Sequence, residues 1–197
     1  MTRRLEFFFD FRSPYSYLAN SQLERLDAEV TYRPLEIVEL MKQVGNVPTS
    51  IVCKPKNRYL GADLRRWVAI YGVPFQPHPE MGRIDARRLL RAVLAADESG
   101  QAREAVGALF TAFWGIPAPL ATPADVVAVL NGAGVGDAGL TSRIDDPALD
   151  EALDEATAAA VERGVFGAPV MFVGEEMFFG NDRLDFVRSA LARQEAA

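Results

Sequence analysis

The pattern of apolar and polar positions predicts short strands at both ends of the chain. Residues 5–11 form an aromatic-rich apolar run that is typical of a buried strand. Residues 29–34 alternate apolar and polar side chains and end at a proline, as strands often do at a sheet edge. Near the carboxyl end, residues 169–173 and 176–179 flank Gly174-Glu175, which predicts a β-hairpin.

Between the first two strands, apolar residues recur at helical spacing from Tyr15 to Leu26. Ser13 suits the N-cap position, and Pro14 suits the first helical position because its missing N–H has no partner to lose there. This β-α-β order predicts two parallel strands joined by a right-handed crossover.

Helical patterns rich in Ala, Leu and Arg fill the middle of the chain, and no convincing strand pattern interrupts them. They cover residues 57–71, 83–97, 101–114 and 123–130. A further helix is predicted over 147–163 with Gly164 as its C-cap, and a last helix after the hairpin with Asp182 as its N-cap.

The order of elements predicts an α/β fold of the thioredoxin-like kind with an all-helical domain inserted in its middle. Residues 1–45 would form the first, β-α-β part of the thioredoxin-like domain. Residues 46–154 would form the helical insertion, and residues 155–197 the closing β-β-α part.

Composition narrows the class of protein. The 197 residues suffice for one domain with an insertion. The net charge of −6 disfavours a general nucleic-acid binder. It is still compatible with a local basic pocket that holds a small anion. The single cysteine, Cys53, excludes an intrachain disulfide, so we expect a reducing cytoplasm. With one Cys and one His we expect no metal site, and the absence of a long apolar run predicts no membrane span and no signal peptide.

The turn Ser13-Pro14-Tyr15-Ser16 lies where a strand ends and a helix begins. Helix N-termini stabilise anions, and thioredoxin-like redox proteins place Cys-x-x-Cys at this turn. Serine at both ends of that spacing cannot form a disulfide. It can donate a hydrogen bond to the thiolate of a bound ligand, whose pKa the same field would lower. A simple helix cap is the alternative explanation of Ser13.

Two further motifs near the carboxyl end suit a peptide-like ligand. If the bond before Pro169 is cis, the backbone of Ala168 can pair with a ligand as an added strand would. The alternative explanation is an ordinary proline at the first residue of a strand. Asp182 and Arg183 together suit a zwitterion, since a carboxylate binds an ammonium and a guanidinium binds a carboxylate.

Two isolated groups have a structural explanation that we favour over a catalytic one. Cys53 lies between basic residues that could lower its pKa, but nothing pairs it with a base. His78 lies in a Pro-flanked loop, and the sequence suggests no partner that would orient it as a base.

A group of cations is either a solvated face or an attractor of an anionic substrate. Its members are Lys42, Lys54, Lys56 and Arg58.

Three segments in this order resemble one family. Residues 9–18 resemble the opening of 2-hydroxychromene-2-carboxylate isomerases and kappa-class glutathione transferases, within the DsbA-like superfamily. Residues 164–169 and 178–184 resemble the closing signature of the same family. The resemblance covers essentially the whole chain, and the compact hairpin with its Gly-Asn-Asp-Arg ending is closer to the isomerase branch. It implies a thioredoxin-like fold with a helical insertion, a homodimer and glutathione as cofactor.

Roles for individual residues follow from this resemblance. Ser13 would hydrogen-bond the glutathione sulfur and keep it as thiolate, and Ala168 would pair with the glutathione backbone beside a cis Pro169. Asp182 and Arg183 would hold the γ-glutamyl end. The cofactor-binding set is completed by Pro14 and Asn181. The small-molecule aromatic substrate would contact Lys42 and Ser50, where Ser50 departs from the asparagine that the family often has nearby.

The activity implied is a glutathione-dependent isomerisation in aromatic degradation. 2-Hydroxychromene-2-carboxylate opens to an unsaturated keto acid, the thiolate adds reversibly to its double bond, and rotation followed by elimination gives trans-o-hydroxybenzylidenepyruvate. Two alternatives stay open: a kappa-type transferase that conjugates electrophiles, and a non-catalytic protein that binds glutathione or another thiol peptide. A disulfide oxidoreductase is disfavoured because the cysteines are missing.

Overall fold

A computed structural model describes residues 3–136 and 139–194. Its sheet has four strands in the order β2-β1-β3-β4. They are β1 Arg4–Phe9, β2 Glu29–Pro34, β3 Val170–Val173 and β4 Glu176–Phe179. β1 and β2 are parallel, whereas β3 is antiparallel to both β1 and β4. The predicted parallel pair and the predicted hairpin are both confirmed.

The helices surround this sheet and fill the middle of the sequence. They are α1 Pro14–Leu23, α2 Ile37–Gln43, α3 Thr49–Val52, α4 Lys54–Tyr71, α5 Ala86–Asp97, α6 Ala102–Phe110, α7 Pro123–Gly132, α8 Leu140–Ile144, α9 Pro147–Glu162 and α10 Leu184–Gln194. Short 3-10 turns cover Glu24–Leu26, Met81–Arg83 and Asn181–Arg183, and a π turn covers Thr111–Gly115. The predicted α/β fold with a helical insertion is confirmed.

Several details differ from the sequence-based expectations. The pattern missed α2, α3 and α8, each of which has seven or fewer residues. The helix expected from residue 83 begins at Ala86, because the Asp85 side chain accepts from the Arg88 N–H and caps it there. The prediction that Asp182 caps the last helix is wrong: Asp182 lies inside the 3-10 turn Asn181–Arg183, and α10 starts at Leu184.

Alternation along the strands divides the core into two layers. Phe7, Phe9 and Met171 face α1, α10 and the helical block. Phe8, Val170 and Phe172 face the opposite side of the sheet, with buried residues of α2 and α9. The expected domain boundary between residues 154 and 155 falls inside α9, which packs against both α2 and β2. The division into domains stays a prediction.

Trp114 connects the helical block to the end of β1. Its buried indole donates from Nε1 to the Phe11 carbonyl at 2.7 Å and stacks on Phe75 with ring centroids 5.8 Å apart. This contact fixes the chain just before the turn that begins α1. Within the described ranges, no helix is both long and apolar enough to cross a membrane.

We expect Trp114→Phe to lower the free energy of unfolding by about 1–3 kcal/mol, because the buried Phe11 carbonyl loses its donor. Trp67→Phe is the matched control, since Trp67 is only partly buried and its ring contact to Tyr71 needs no indole N–H. Urea unfolding followed by circular dichroism measures both. Equal losses in the two variants would contradict the assigned role of the hydrogen bond.

Candidate functional site

The first helix begins at a serine cap, as the sequence predicts. Ser13 has extended backbone angles, its Oγ accepts from the Ser16 N–H at 3.1 Å, and Pro14 opens α1. Ser16 itself is fully buried, so of the two serines only Ser13 can meet a ligand. Within the part of the chain that the structure describes, nothing accepts from the Tyr15 N–H. This end of α1 therefore offers a hydroxyl, a free N–H and the positive end of a helix dipole.

A buried carboxylate holds the turn in place. Asp10 is 0% exposed, and its Oδ2 accepts from the Arg12 guanidinium at 2.6 Å and from the Ile37 N–H at 2.8 Å. Its Oδ1 accepts from the Arg12 N–H at 2.8 Å, and its carbonyl accepts from the Ser13 N–H at 3.1 Å. Asp10 thus ties the residues around Ser13 to the start of α2.

Arg12 completes this buried cluster. Its guanidinium also contacts the buried Glu36 carboxylate. Burial alone would lower the pKa of Arg12, but the hydrogen bonds and charges of Asp10 and Glu36 raise it well above its ordinary value. Sequence reasoning missed this cluster, although a carboxylate that interrupts an aromatic strand was a signal for it.

The loop before β3 lies directly opposite Ser13. The Ala168–Pro169 peptide bond is cis, and the Ser13 hydroxyl donates to the Ala168 carbonyl at 3.0 Å. Among the described residues, none accepts from the Ala168 N–H. Two segments 155 residues apart in sequence therefore meet and leave backbone donors available on both sides.

The turn Asn181–Arg183 adjoins the same place. The Gly180 N–H donates to the Pro169 carbonyl at 3.0 Å, and the Tyr71 hydroxyl donates to the Asn181 carbonyl at 2.8 Å. The side chains of Asp182 and Arg183 form an ion pair with each other, and both are exposed. An exposed carboxylate and an exposed guanidinium therefore lie two and three residues after Gly180, which bonds the cis-proline loop.

Two tyrosines connect α4 to its neighbours: Tyr15 joins it to α1, and Tyr71 joins it to this turn. The Tyr15 hydroxyl donates to Asp63 Oδ2 at 2.7 Å. Burial, and then the hydrogen bond and charge of Asp63, raise the pKa of Tyr15 far above its ordinary value. Burial also raises the pKa of Tyr71. Both hydroxyls therefore stay protonated near neutral pH, and act as donors that fix α4 against α1 and the last turn.

Gly180 is required by the geometry of the last turn. Its φ of 102° and ψ of 156° lie in a region that is almost restricted to glycine. An added Cβ would lie 2.6 Å from Asp182 Oδ1, but that atom ends an exposed side chain that can turn away, so the backbone conformation determines the cost. We expect Gly180→Ala to lower the free energy of unfolding by about 2–3 kcal/mol. We expect Gly174→Ala to have a smaller effect, because Gly174 has a φ of 60° but open space around it. Thermal or urea unfolding of the two variants checks the order, and a reversed order would be inconsistent with the backbone conformation assigned to Gly180.

The remaining predicted residues lie further out. Lys42 is in the last turn of α2, 78% exposed, with its Nζ 3.4 Å from Glu39 Oε2. Ser50 belongs to α3, but its side chain lies outside the described part of the structure. Cys53 is half-buried at the start of α4. His78 is buried with both ring nitrogens engaged, by the Ala118 carbonyl and the Glu80 N–H, which supports the structural explanation of this residue.

Asn46 was missed by the sequence analysis. It follows α2, and its Nδ2 donates to the Phe166 carbonyl at 2.8 Å. The end of α2, which carries Lys42, is thereby fixed against the cis-proline loop. An asparagine after a glycine is a turn signal, and it marks this connection in the sequence.

Comparison with known proteins gives consistent matches over nearly the full length. Residues 4–192 match the family model of the DSBA-like thioredoxin domain. A 2-hydroxychromene-2-carboxylate isomerase of Pseudomonas putida is 36% identical over 197 residues, which cover 96% of this chain and 94% of the relative. Glutathione S-transferase kappa 1 of Homo sapiens is 27% identical over 212 residues, covering 98% and 93%. A solved structure of selenomethionine 2-hydroxychromene-2-carboxylate isomerase matches with a TM-score of 0.86 at 34% identity, covering 97% and 95%.

Proposed function

Because the chain belongs to the 2-hydroxychromene-2-carboxylate isomerase family of DsbA-like thioredoxin proteins, we propose that it is a glutathione-dependent isomerase. Its substrate would be 2-hydroxychromene-2-carboxylate or a related ring-opened aromatic pyruvate, interconverted with the trans-benzylidenepyruvate. The contact between the Ser13 hydroxyl and the Ala168 carbonyl carries the proposal. It brings together a hydroxyl that would donate to a thiolate and a backbone that would pair with a peptide-like ligand.

The residues present fit a tripeptide thiol. The Ala168 N–H and the Tyr15 N–H are free donors of the kind that an extended ligand backbone and an anion need. Asp182 and Arg183, both exposed, would bind the α-amino and α-carboxylate groups of the γ-glutamyl residue. Pro14, Pro169 and Asn181 would line the same cleft. When bound, glutathione supplies a thiolate that adds reversibly to the substrate double bond and so permits its rotation.

Ser13 has a specific part in this scheme. A hydroxyl has one proton to donate, and in this structure it goes to the Ala168 carbonyl. A ligand N–H that bonds this carbonyl would replace Ser13 as its donor. The released hydroxyl could then donate to the ligand sulfur. Ligand binding and thiolate stabilisation would thus be coupled through one carbonyl oxygen.

The substrate carboxylate is assigned to the end of α2. Lys42 is exposed, and its single contact in the described structure is an ion pair with a neighbour on the same helix. Such exposed pairs contribute little, so the ammonium can turn to an incoming carboxylate at small cost. Ser50 stays a predicted substrate contact. The homodimer and the cytoplasmic location stay predictions.

The proposal is tested by following 2-hydroxychromene-2-carboxylate spectrophotometrically with and without glutathione. We expect conversion that requires glutathione but does not consume it. Consumption of glutathione with a chlorinated aromatic electrophile would instead favour a kappa-type transferase, which the 27% identical human relative makes the second candidate. Glutathione binding by calorimetry without either reaction would indicate a binding protein.

A further inference from the structure

An exposed pair of aromatic rings lies beside the cis-proline loop and has no part in the scheme above. Phe166 and Phe179 are 38% and 44% exposed, and their ring centroids are 4.7 Å apart at an angle of 48°. Phe179 is opposite Val170 in the β3–β4 ladder, so both side chains lie on the same face of the sheet. The helices α2 and α9 cover the inner part of that face. β4 is the edge strand, and its Phe179 extends beyond that cover.

Contacts with the loop hold the Phe179 ring and the backbone of Phe166 in place. Gly167 separates Phe166 from Ala168, and a Cβ on it would lie 3.0 Å from Phe179 Cε2. The Phe179 ring therefore rests directly on the backbone of Gly167. On the other side, Asn46 donates to the Phe166 carbonyl at 2.8 Å. The Phe179 ring therefore packs on the loop, the backbone of Phe166 is fixed, and the Phe166 ring contacts the Phe179 ring.

The aromatic pair is connected through its loop to both parts of the proposed reaction site, the sulfur site at Ser13 and the carboxylate site at Lys42. Phe166 precedes Ala168 by two residues, which is at most about 7 Å of chain, and Ala168 contacts the Ser13 hydroxyl. Asn46 attaches the same loop to the end of α2, where Lys42 lies. A ligand that joins the Ser13 sulfur site to the Lys42 carboxylate site would pass beside these rings.

We infer that Phe166 and Phe179 bind the aromatic ring of the electrophile and determine the preference for aromatic over aliphatic substrates. The inference rests on the proposed function. Aromatic rings favour edge-to-face and offset contacts with other rings, and an exposed, already tilted pair presents both a face and an edge. The Phe179 ring fills the space beside Gly167, so a ligand ring would pack against the exposed surfaces of Phe166 and Phe179.

The test compares the affinities of two thioethers, S-benzylglutathione and S-methylglutathione, by isothermal titration calorimetry. These probes differ in the ring alone and need no turnover. We expect the wild-type protein to bind the benzyl compound about tenfold more tightly, and Phe179→Ala or Phe166→Ala to remove most of that preference while leaving S-methylglutathione affinity unchanged. Met177→Ala is the matched control: Met177 lies on the same strand face as Phe179, is 39% exposed, and is two residue pairs further from the loop.

The outcomes separate this inference from the proposed function. Equal binding of the two thioethers by the wild-type protein, or an equal loss in Met177→Ala, would overturn the inference alone. No binding of either thioether or of glutathione would overturn the proposed function and the inference together. A change in molecular mass on Phe179→Ala in sedimentation would assign the rings to an interface between copies, which also overturns the inference.

Discussion

Replacing Ser13 with alanine is expected to lower kcat/KM for glutathione-dependent isomerisation by about 100- to 1,000-fold, the usual loss when a hydrogen bond to a developing or resident anion is removed. Among the described residues, the Ser13 hydroxyl is the side-chain donor that joins the start of α1 to the Ala168 carbonyl. Without it the bound thiol should ionise at a higher pH. The ultraviolet absorbance of the thiolate, titrated against pH in the presence of the protein, measures that shift separately from turnover.

Two variants separate this role from helix capping. Ser13→Ala removes the cap as well as the donor, at about 1 kcal/mol of stability, whereas Ser13→Gly removes the donor at a few tenths of a kcal/mol. Equal losses of kcat/KM in the two variants are expected. Ser21→Ala removes a hydroxyl from the same helix that donates to the Leu18 carbonyl and accepts from Gln22 Nε2, away from Ala168, and should keep full activity. Ser13 variants with wild-type rates and an unshifted thiol titration would show that this serine is only a cap.

Sequence pattern was sufficient for the parts of the fold that depend on local periodicity. β2 and β4 begin and end at the predicted residues, because alternation and a closing proline or turn define them locally. Ser13 and Pro14 identified the start of α1 for the same reason. Short elements such as α3 and α8 were missed because four or five residues carry too little periodicity to distinguish a helix from a loop.

The candidate site depended on tertiary contacts that no local pattern contains. Nothing near Ser13 in the sequence indicates that its hydroxyl reaches Ala168. Nor does the sequence show that Gly180 must adopt a φ of 102°, or that Asn46 holds the cis-proline loop. The motifs were recognisable as a set, whereas their mutual distances followed only from the folded chain.

The buried Asp10 cluster gives the largest expected effect on stability. Both carboxylate oxygens are in use: Oδ1 accepts from the Arg12 N–H and Nε, and Oδ2 accepts from the Arg12 guanidinium and the Ile37 N–H. In Asp10→Asn, either orientation of the amide directs an NH2 group at two donors. We therefore expect a loss of about 3–5 kcal/mol in the free energy of unfolding, from unsatisfied buried groups and a broken buried ion pair.

The matched control removes the same charge at the surface. Glu24 pairs with Arg103 at 2.6 Å, and both side chains are exposed, so Glu24→Gln should change the unfolding free energy by less than about 1 kcal/mol. Urea unfolding of both variants at one pH gives the comparison. The Ser13 backbone N–H donates to the Asp10 carbonyl, and the Ile37 N–H at the start of α2 donates to the Asp10 carboxylate. Asp10→Asn should therefore also weaken glutathione binding at temperatures where the protein remains folded. A destabilisation no larger than that of Glu24→Gln would mean that the turn before α1 is held by its backbone alone.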